Sequence, residues 1–248
     1  MSDEVATEVR GPVATITLDR PAALNAITPT MLDGLGSALR SIGERADVRL
    51  VVLTGRGRAF SAGVDLKALG EVQLEGGAVG DVLDLPARRA IEALTTIPQI
   101  VVAKVNGACF TGALELALAC DLVVVADAAK LGDTHARFGL RPTWGMSQRL
   151  IRLVGVARAR ELSYTARTFT GADAAAWGLA ARSAPLAELD AVVEELAEQI
   201  LANSAGSLAA YKDLYRAALD ETLDRGLGYE ATTAYEIDDT EPRIASFR

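Results

Sequence analysis

Three short runs made up mostly of branched apolar residues constrain the fold of this chain more than any other feature. They are RLVVLT from Arg49, QIVVAKV from Gln99 and LVVVA from Leu122. Such runs lack the polar alternation of a strand with one wet face and are typical of strands buried on both faces. Helical stretches such as ARRAIEALTT separate them. The sequence therefore predicts an α/β fold.

The two ends of the chain differ from this middle part. VATITLDRP from Val13 alternates branched and polar residues before a proline, which predicts an N-terminal strand. Thr28 followed by Pro29 is typical of the start of a helix. From about Ala187 onward the chain is rich in helix formers and has no further strand-like run. The C-terminal region is therefore predicted to be a helical appendage.

Composition excludes several classes of protein. With 248 residues, half of them apolar, the chain can bury a large core. A net charge of -8 argues against a nucleic-acid-binding surface. No apolar run approaches the roughly 20 residues that a bilayer requires, and MSDEVATEVR lacks the features of a signal peptide. We therefore expect no nucleic-acid partner, no membrane insertion and a cytoplasmic location.

The few cysteine and histidine residues also argue against a metal site. Cys109 and Cys120 stand in apolar surroundings without a C-x-x-C spacing, so neither a disulfide framework nor a zinc site is indicated. His135 is the only histidine in the chain, which makes a histidine-rich metal site impossible. We therefore expect no bound metal.

Two loops that follow the buried strands carry glycine next to the start of a helix. They are TGRGRAFSAGVDLKAL and NGACFTGALELAL. Glycine lets a backbone N–H turn outward, and the following helix directs the positive end of its dipole at the same point. Two such N–H groups that converge on one oxygen would form an oxyanion hole. In the other interpretation, Gly63 and Gly112 only end strands.

These loops resemble, in length and order, the two signature segments of the enoyl-CoA hydratase/isomerase (crotonase) superfamily. The resemblance begins at LDRPAALNAIT and continues through RPTWGMSQRLIRLVGVARARELSYTARTFTGADAAAWGLA. It implies a spiral of repeated ββα units with an acyl-CoA site over residues 1–190, and a helical trimerisation region over residues 191–248. It also implies an acyl-coenzyme A thioester substrate, no separate cofactor, and a homotrimer or a dimer of trimers, that is, a homohexamer.

The same resemblance assigns binding roles to residues of the two loops. The thioester oxygen would receive the N–H groups of Val64 and Gly112. Coenzyme A would contact a set of residues around the first loop: Ala62, Val64, Asp65, Leu66, Lys67 and Arg20. Arg56 and Arg58, together with Arg20 and Lys67, would add local positive charge for this polyanionic ligand. For any one of these cations taken singly, an ordinary solvated side chain is the favoured interpretation.

Catalysis in the hydratases of this family depends on two glutamates that share the added water. Glu115, three residues after Gly112, matches the first, and the apolar run around it predicts a buried acid/base group. His135 falls at the position of the second. Asp133 is predicted to cap a helix that starts at Thr134, which would lower the pKa of His135 and leave a neutral imidazole to orient the water.

The leading hypothesis is therefore an enoyl-CoA hydratase of fatty acid metabolism that adds water across the 2,3 double bond. Isomerases of the family rely on the second glutamate and often lack the first, whereas this chain has the reverse pattern. Two alternatives remain. One is another acyl-CoA reaction at the same oxyanion hole, either isomerisation or thioester hydrolysis. The other is a catalytically weak acyl-CoA-binding protein.

Overall fold

The structure is a computed structural model that describes residues 3–66 and 76–247. Two β-sheets form its centre. The larger sheet consists of β1 (Val5–Arg10), β2 (Val13–Leu18), β3 (Leu50–Gly55), β5 (Ile100–Val105), β7 (Leu122–Ala126) and β10 (Arg182–Ala184), in the order β1-β2-β3-β5-β7-β10. The smaller sheet consists of β4 (Ala59–Ser61), β6 (Ala108–Phe110), β8 (Lys130–Gly132) and β9 (Phe169–Thr170), in the order β4-β6-β8-β9.

The four strands predicted from the sequence are confirmed as β2, β3, β5 and β7. All neighbours from β2 to β10 in the larger sheet are parallel, and only β1 pairs antiparallel. Every residue of β3 is buried, which explains its continuous apolar sequence. β2 instead alternates buried and half-buried residues, as its alternating sequence indicated.

The helices lie between and after these strands. They are α1 (Pro29–Gly43), α2 (Asp81–Thr96), α3 (Gly112–Ala119), α4 (Met146–Thr165), α5 (Gly171–Ala176), α6 (Leu189–Leu201), α7 (Ala205–Asp220), α8 (Leu223–Thr232) and α9 (Thr240–Phe247). Thr28 caps α1 as predicted, because its hydroxyl accepts a hydrogen bond from the N–H of Met31. Within the described residues no strand follows β10, so the predicted C-terminal helices are confirmed.

A repeated unit connects the two sheets. A strand of the larger sheet is followed by a short strand of the smaller sheet and then by a helix, in the series β3-β4-α2, β5-β6-α3 and β7-β8-α4. Because each unit places its strands beside those of the preceding unit, the chain winds as a spiral of ββα turns. This is the architecture that the resemblance implied. No helix in the described part is long and apolar enough to cross a membrane.

Candidate active site

The smaller sheet positions the site. β4, β6 and β8 are neighbours and run parallel, so their carboxyl ends lie at the same edge. Val64 follows β4, Gly112 follows β6 and His135 follows β8 within three residues of each strand end. Ligand sites of parallel α/β sheets form at such an edge. Residues from three distant parts of the sequence are therefore brought together.

A cavity of about 110 Å³ opens at this edge. The described residues that line it include Ala62, Val64, Leu66, Val79, Thr111, Gly112, Glu115, Thr134, His135, Leu140, Thr143 and Trp144. Both proposed catalytic side chains and both proposed oxyanion donors are in this set. The structure thus brings together the residues to which the resemblance gave catalytic and oxyanion-hole roles.

The backbone turns that carry the two oxyanion candidates are fixed by close contacts. Gly63 has a φ of 94°, and a Cβ there would lie 2.8 Å from the carbonyl oxygen of Phe110, so the turn requires glycine. Val64 pairs with Ile27 in an isolated parallel bridge, in which the N–H of Ile27 donates to the carbonyl oxygen of Gly63 and the N–H of Asp65 donates to that of Ile27. In the described part of the chain, the N–H groups of Val64 and Gly112 donate to no protein group.

Thr111, directly before Gly112, has an unusual backbone. Its φ of 53° and ψ of -114° lie outside the regions that branched residues normally adopt. The Thr111 N–H donates to the carbonyl of Gly132, and its hydroxyl lies 2.5 Å from the hydroxyl of Thr134. These contacts with β8 and its following loop hold the strained residue in place at the start of α3.

Glu115 is a buried carboxylate with two fixed hydrogen bonds. It lies in the first turn of α3, all of whose residues are buried, and is only 1% exposed. Its Oε1 accepts the backbone N–H groups of Trp144 at 3.0 Å and Met146 at 2.9 Å. Its Oε2 lies 3.5 Å from Nε2 of His135. The second oxygen is therefore the one that faces the imidazole.

His135 differs from its predicted state. The predicted helix start is wrong by one residue: a 3-10 helix starts at His135, after the N-cap Thr134. The Asp133 carboxylate accepts the N–H of His135 at 3.3 Å, and its Oδ1 also lies 2.7 Å from Nδ1 of the imidazole, a contact that was not predicted. Burial alone would lower the pKa of His135, but hydrogen bonds and charges of Asp133 and Glu115 raise it to about 9. The imidazole is therefore charged at neutral pH, not neutral as predicted.

Asp133 is held on both of its oxygens. Oδ1 contacts the imidazole, and Oδ2 accepts the hydroxyl of Ser163 from α4 at 2.7 Å. Burial would raise the pKa of Asp133, but the hydrogen bonds from His135 and Ser163 outweigh it and the pKa is lowered. A carboxylate thus orients the ring and stabilises its charge.

The residues assigned to coenzyme A are only partly brought together. Ala62, Val64 and Leu66 line the cavity, whereas Lys67 lies outside the described residues.

Asp65 and Arg20 contact each other, with 3.0 Å between Oδ2 and the guanidinium. Arg20 also pairs with Glu4, Arg56 pairs with Asp19, and Arg58 lines a separate cavity beside Lys130. These ion pairs neutralise part of the positive charge that the sequence predicted here.

A buried carboxylate that the sequence did not predict lies beside the cavity. Asp84 of α2 is 6% exposed, and its Oδ1 accepts the indole N–H of Trp144 and the hydroxyl of Thr143, both at 2.7 Å. The only available signal was an aspartate within an amphipathic helix, which normally indicates a solvated side chain.

A model of the enoyl-CoA hydratase/isomerase family matches residues 8–246 of the chain. The chain belongs to the enoyl-CoA hydratase/isomerase family. It is 35% identical over 225 residues to the probable peroxisomal enoyl-CoA hydratase 1 of Arabidopsis thaliana, a match that covers 91% of this chain and 83% of the relative.

Two solved structures extend the comparison. An enoyl-CoA hydratase from Bacillus anthracis is 33% identical, with a TM-score of 0.87 and coverage of 92% of this chain and 88% of its own. A monofunctional enoyl-CoA isomerase from M. smegmatis is 29% identical, with a TM-score of 0.78 and coverage of 93% and 99%. The predicted crotonase-like fold is therefore confirmed. Because the enoyl-CoA hydratase/isomerase family includes both kinds of enzyme, the residues of the cavity must distinguish the reactions.

Proposed function

We propose that the protein adds water across the 2,3 double bond of an enoyl-CoA thioester. The main support for the proposal is that the side chains of Glu115 and His135 line one small cavity together with the two candidate oxyanion donors. Glu115 can serve there as a base and His135 as an acid. A thioester oxygen bound at these N–H groups would present the adjoining double bond to both side chains.

Glu115 acts as the base toward water. Its Oε1 is occupied by two backbone N–H groups, so Oε2 is the oxygen that takes the proton. As the water oxygen attacks carbon 3, negative charge moves to the thioester oxygen. The N–H groups of Val64 and Gly112 stabilise that charge, and such a donor is typically worth about 3 kcal/mol in the transition state.

His135 acts as the acid. Its pKa of about 9 keeps the ring protonated at neutral pH, and Asp133 holds Nδ1, so the Nε2 proton is transferred to carbon 2. After addition Glu115 carries one proton more and His135 one proton fewer. A proton transfer across the 3.5 Å between Oε2 and Nε2 then restores both groups.

Steady-state turnover of crotonyl-CoA tests the proposal. We expect loss of the absorbance of the conjugated thioester, with formation of 3-hydroxybutyryl-CoA. Release of free coenzyme A would indicate a thioester hydrolase, and turnover of a 3-enoyl-CoA alone would indicate an isomerase. Tight binding without any turnover would indicate an acyl-CoA-binding protein. Each of these three results would contradict hydration.

We also propose a homotrimer or a dimer of trimers in the cytoplasm, with residues 191–248 as the oligomerisation region. Exposed apolar side chains on α7 and α8 support the assembly: Tyr211, Tyr215, Leu219, Leu223 and Leu227. The unpaired thiols of Cys109 and Cys120 are typical of a reducing compartment. A monomeric mass in light scattering at micromolar concentration would contradict the assembly. Cell fractionation tests the cytoplasmic location.

A further inference from the structure

One large side chain of the cavity has no role in the proposed hydration, the indole of Trp144. It is 4% exposed and lines the cavity beside Thr143. The ring packs directly on the backbone of the oxyanion glycine, because a Cβ added at Gly112 would lie 2.6 Å from Cζ3 of the indole. An aromatic ring therefore forms the cavity wall next to the reacting carbonyl.

The polar atoms of Trp144 hold this ring in one position. Its Nε1 donates to Oδ1 of Asp84 at 2.7 Å, its backbone N–H donates to Glu115, and its carbonyl oxygen accepts from Arg149 at 2.9 Å. Asp84 is itself buried, so a rotation of the ring would separate a buried carboxylate from a buried N–H. Such groups are costly to leave without a partner. The indole is therefore a fixed wall.

We infer that Trp144, held by Asp84, restricts the acyl group of the substrate to short chains. The inference rests on the proposed function, because it takes this cavity as the acyl site. The described residues leave a cavity of about 110 Å³, and the indole closes it on the side of Gly112, so an acyl chain that extends toward that side would have to displace the ring from a close-packed interior. Trp144 is thus a specificity-determining residue, and Asp84 is its positioning residue.

Binding of saturated acyl-CoA thioesters tests the inference without requiring turnover. In calorimetric titrations the wild type should bind butyryl-CoA about tenfold more tightly than decanoyl-CoA, the range expected when a pocket discriminates by size. Trp144→Ala should abolish or reverse this preference by gaining affinity for decanoyl-CoA. Trp177→Ala is the matched control, because Trp177 packs on Phe169 and is not among the cavity residues. It should keep the wild-type preference.

Variants of Asp84 test the positioning role. Asp84→Asn retains an oxygen that accepts both hydrogen bonds, and we expect it to keep the preference for butyryl-CoA. Asp84→Ala releases the indole and should weaken that preference. Where circular dichroism shows that Trp144→Ala does not fold, Trp144→Phe replaces it. That variant removes only the N–H and part of the ring and should behave like Asp84→Ala.

The outcomes separate the inference from the proposed function. Equal affinity of the wild type for the two thioesters would overturn the inference and leave the hydration proposal intact. An unchanged preference in a folded Trp144 variant would do the same. Failure of the wild type to bind either thioester would overturn the proposed function, and the inference with it.

Discussion

At the scale of single residues, Glu115 should be indispensable for turnover. Glu115→Gln keeps an oxygen for the N–H groups of Trp144 and Met146, so the loop retains its contacts while the base is lost. We expect kcat for enoyl-CoA hydration to fall by at least about 100-fold with acyl-CoA binding preserved. Initial rates and titrations with butyryl-CoA measure the two quantities. Turnover at the wild-type rate would remove Glu115 from the mechanism.

Asp133 should control the pH dependence through His135. The proposed mechanism requires a protonated His135, so wild-type kcat should decline as the pH rises through the pKa of His135, about 9. Asp133→Asn removes the negative charge beside the ring, so the pKa of His135 and the alkaline limb of the pH profile should both move to lower pH. pH–rate profiles measure this shift.

Ser163→Ala is the control for this prediction. It removes a hydroxyl that donates to Asp133 and leaves the charge in place, so its alkaline limb should move less than that of Asp133→Asn. Identical profiles for the wild type and Asp133→Asn would show that Asp133 does not set the charge of the imidazole.

The residues of the site could be predicted from the sequence only where the resemblance named a position. Glu115 and His135 were found in this way, and the structure brings both to one cavity. The role of Asp133 was predicted only in part, because a carboxylate two residues before His135 can contact both the backbone N–H and the ring, and the sequence does not show the second contact. The partner of Trp144 was missed because Asp84 is 60 residues away in the chain.

At the scale of elements, the first turn of α3 should tolerate no side chain at Gly112. In Gly112→Ala the donor N–H remains, but the new Cβ would lie 2.6 Å from the Trp144 ring, so ring and donor must move apart. We expect kcat to fall by about tenfold or more, because displaced oxyanion donors stabilise the transition state less well.

Gly228→Ala is the matched control for this change. Gly228 lies in α8 with nothing within 4 Å of an added Cβ, and alanine there should leave kcat unchanged and slightly favour the helix. If Gly112→Ala were as active as this control, Gly112 would be only a turn residue.

The longer strands could be predicted from the sequence, whereas the short strands could not. β3, β5 and β7 could be predicted because each contains four or five consecutive apolar residues, most of them β-branched or leucine, which is typical of a buried strand. The strands β4, β6 and β8 have three residues each and too little sequence to show a period. They were missed, although they form the sheet edge that carries the site.

At the scale of the whole molecule, Lys212 fastens the C-terminal helices to the core. Its Nζ donates to the carbonyl oxygens of Leu94 and Gln99, both at 2.9 Å, and lies 2.8 Å from a carboxylate oxygen of Asp121. Lys212→Met would leave the two carbonyl oxygens without this donor and would leave the Asp121 carboxylate, which also accepts the N–H of Val101, without its cation. We expect the free energy of unfolding to fall by about 3–5 kcal/mol, as for other broken buried ion pairs.

Denaturant titration followed by circular dichroism measures this loss. Arg225→Ala is the control, because Arg225 makes an exposed ion pair with Glu221 that should contribute little. Equal stability of the two variants would show that the buried lysine does not anchor α7.

The overall architecture could be predicted in outline from the residues alone. Buried strands separated by helices indicated α/β layering, and the loss of strand-like runs after Ala187 indicated the helical end. The spiral of ββα turns came from the resemblance, because the spacing of the long strands does not reveal the short strands between them. Periodicity cannot show how the sheets pack.

The most direct test of the hydration mechanism is product analysis by mass spectrometry after reaction of crotonyl-CoA in ¹⁸O-labelled water. Hydration by Glu115 and His135 predicts an intact thioester with one ¹⁸O atom in a hydroxyl group on carbon 3, formed by the wild type and almost absent with Glu115→Gln. Label found instead in a free carboxylate, together with released coenzyme A, would show thioester hydrolysis and would contradict hydration of the double bond.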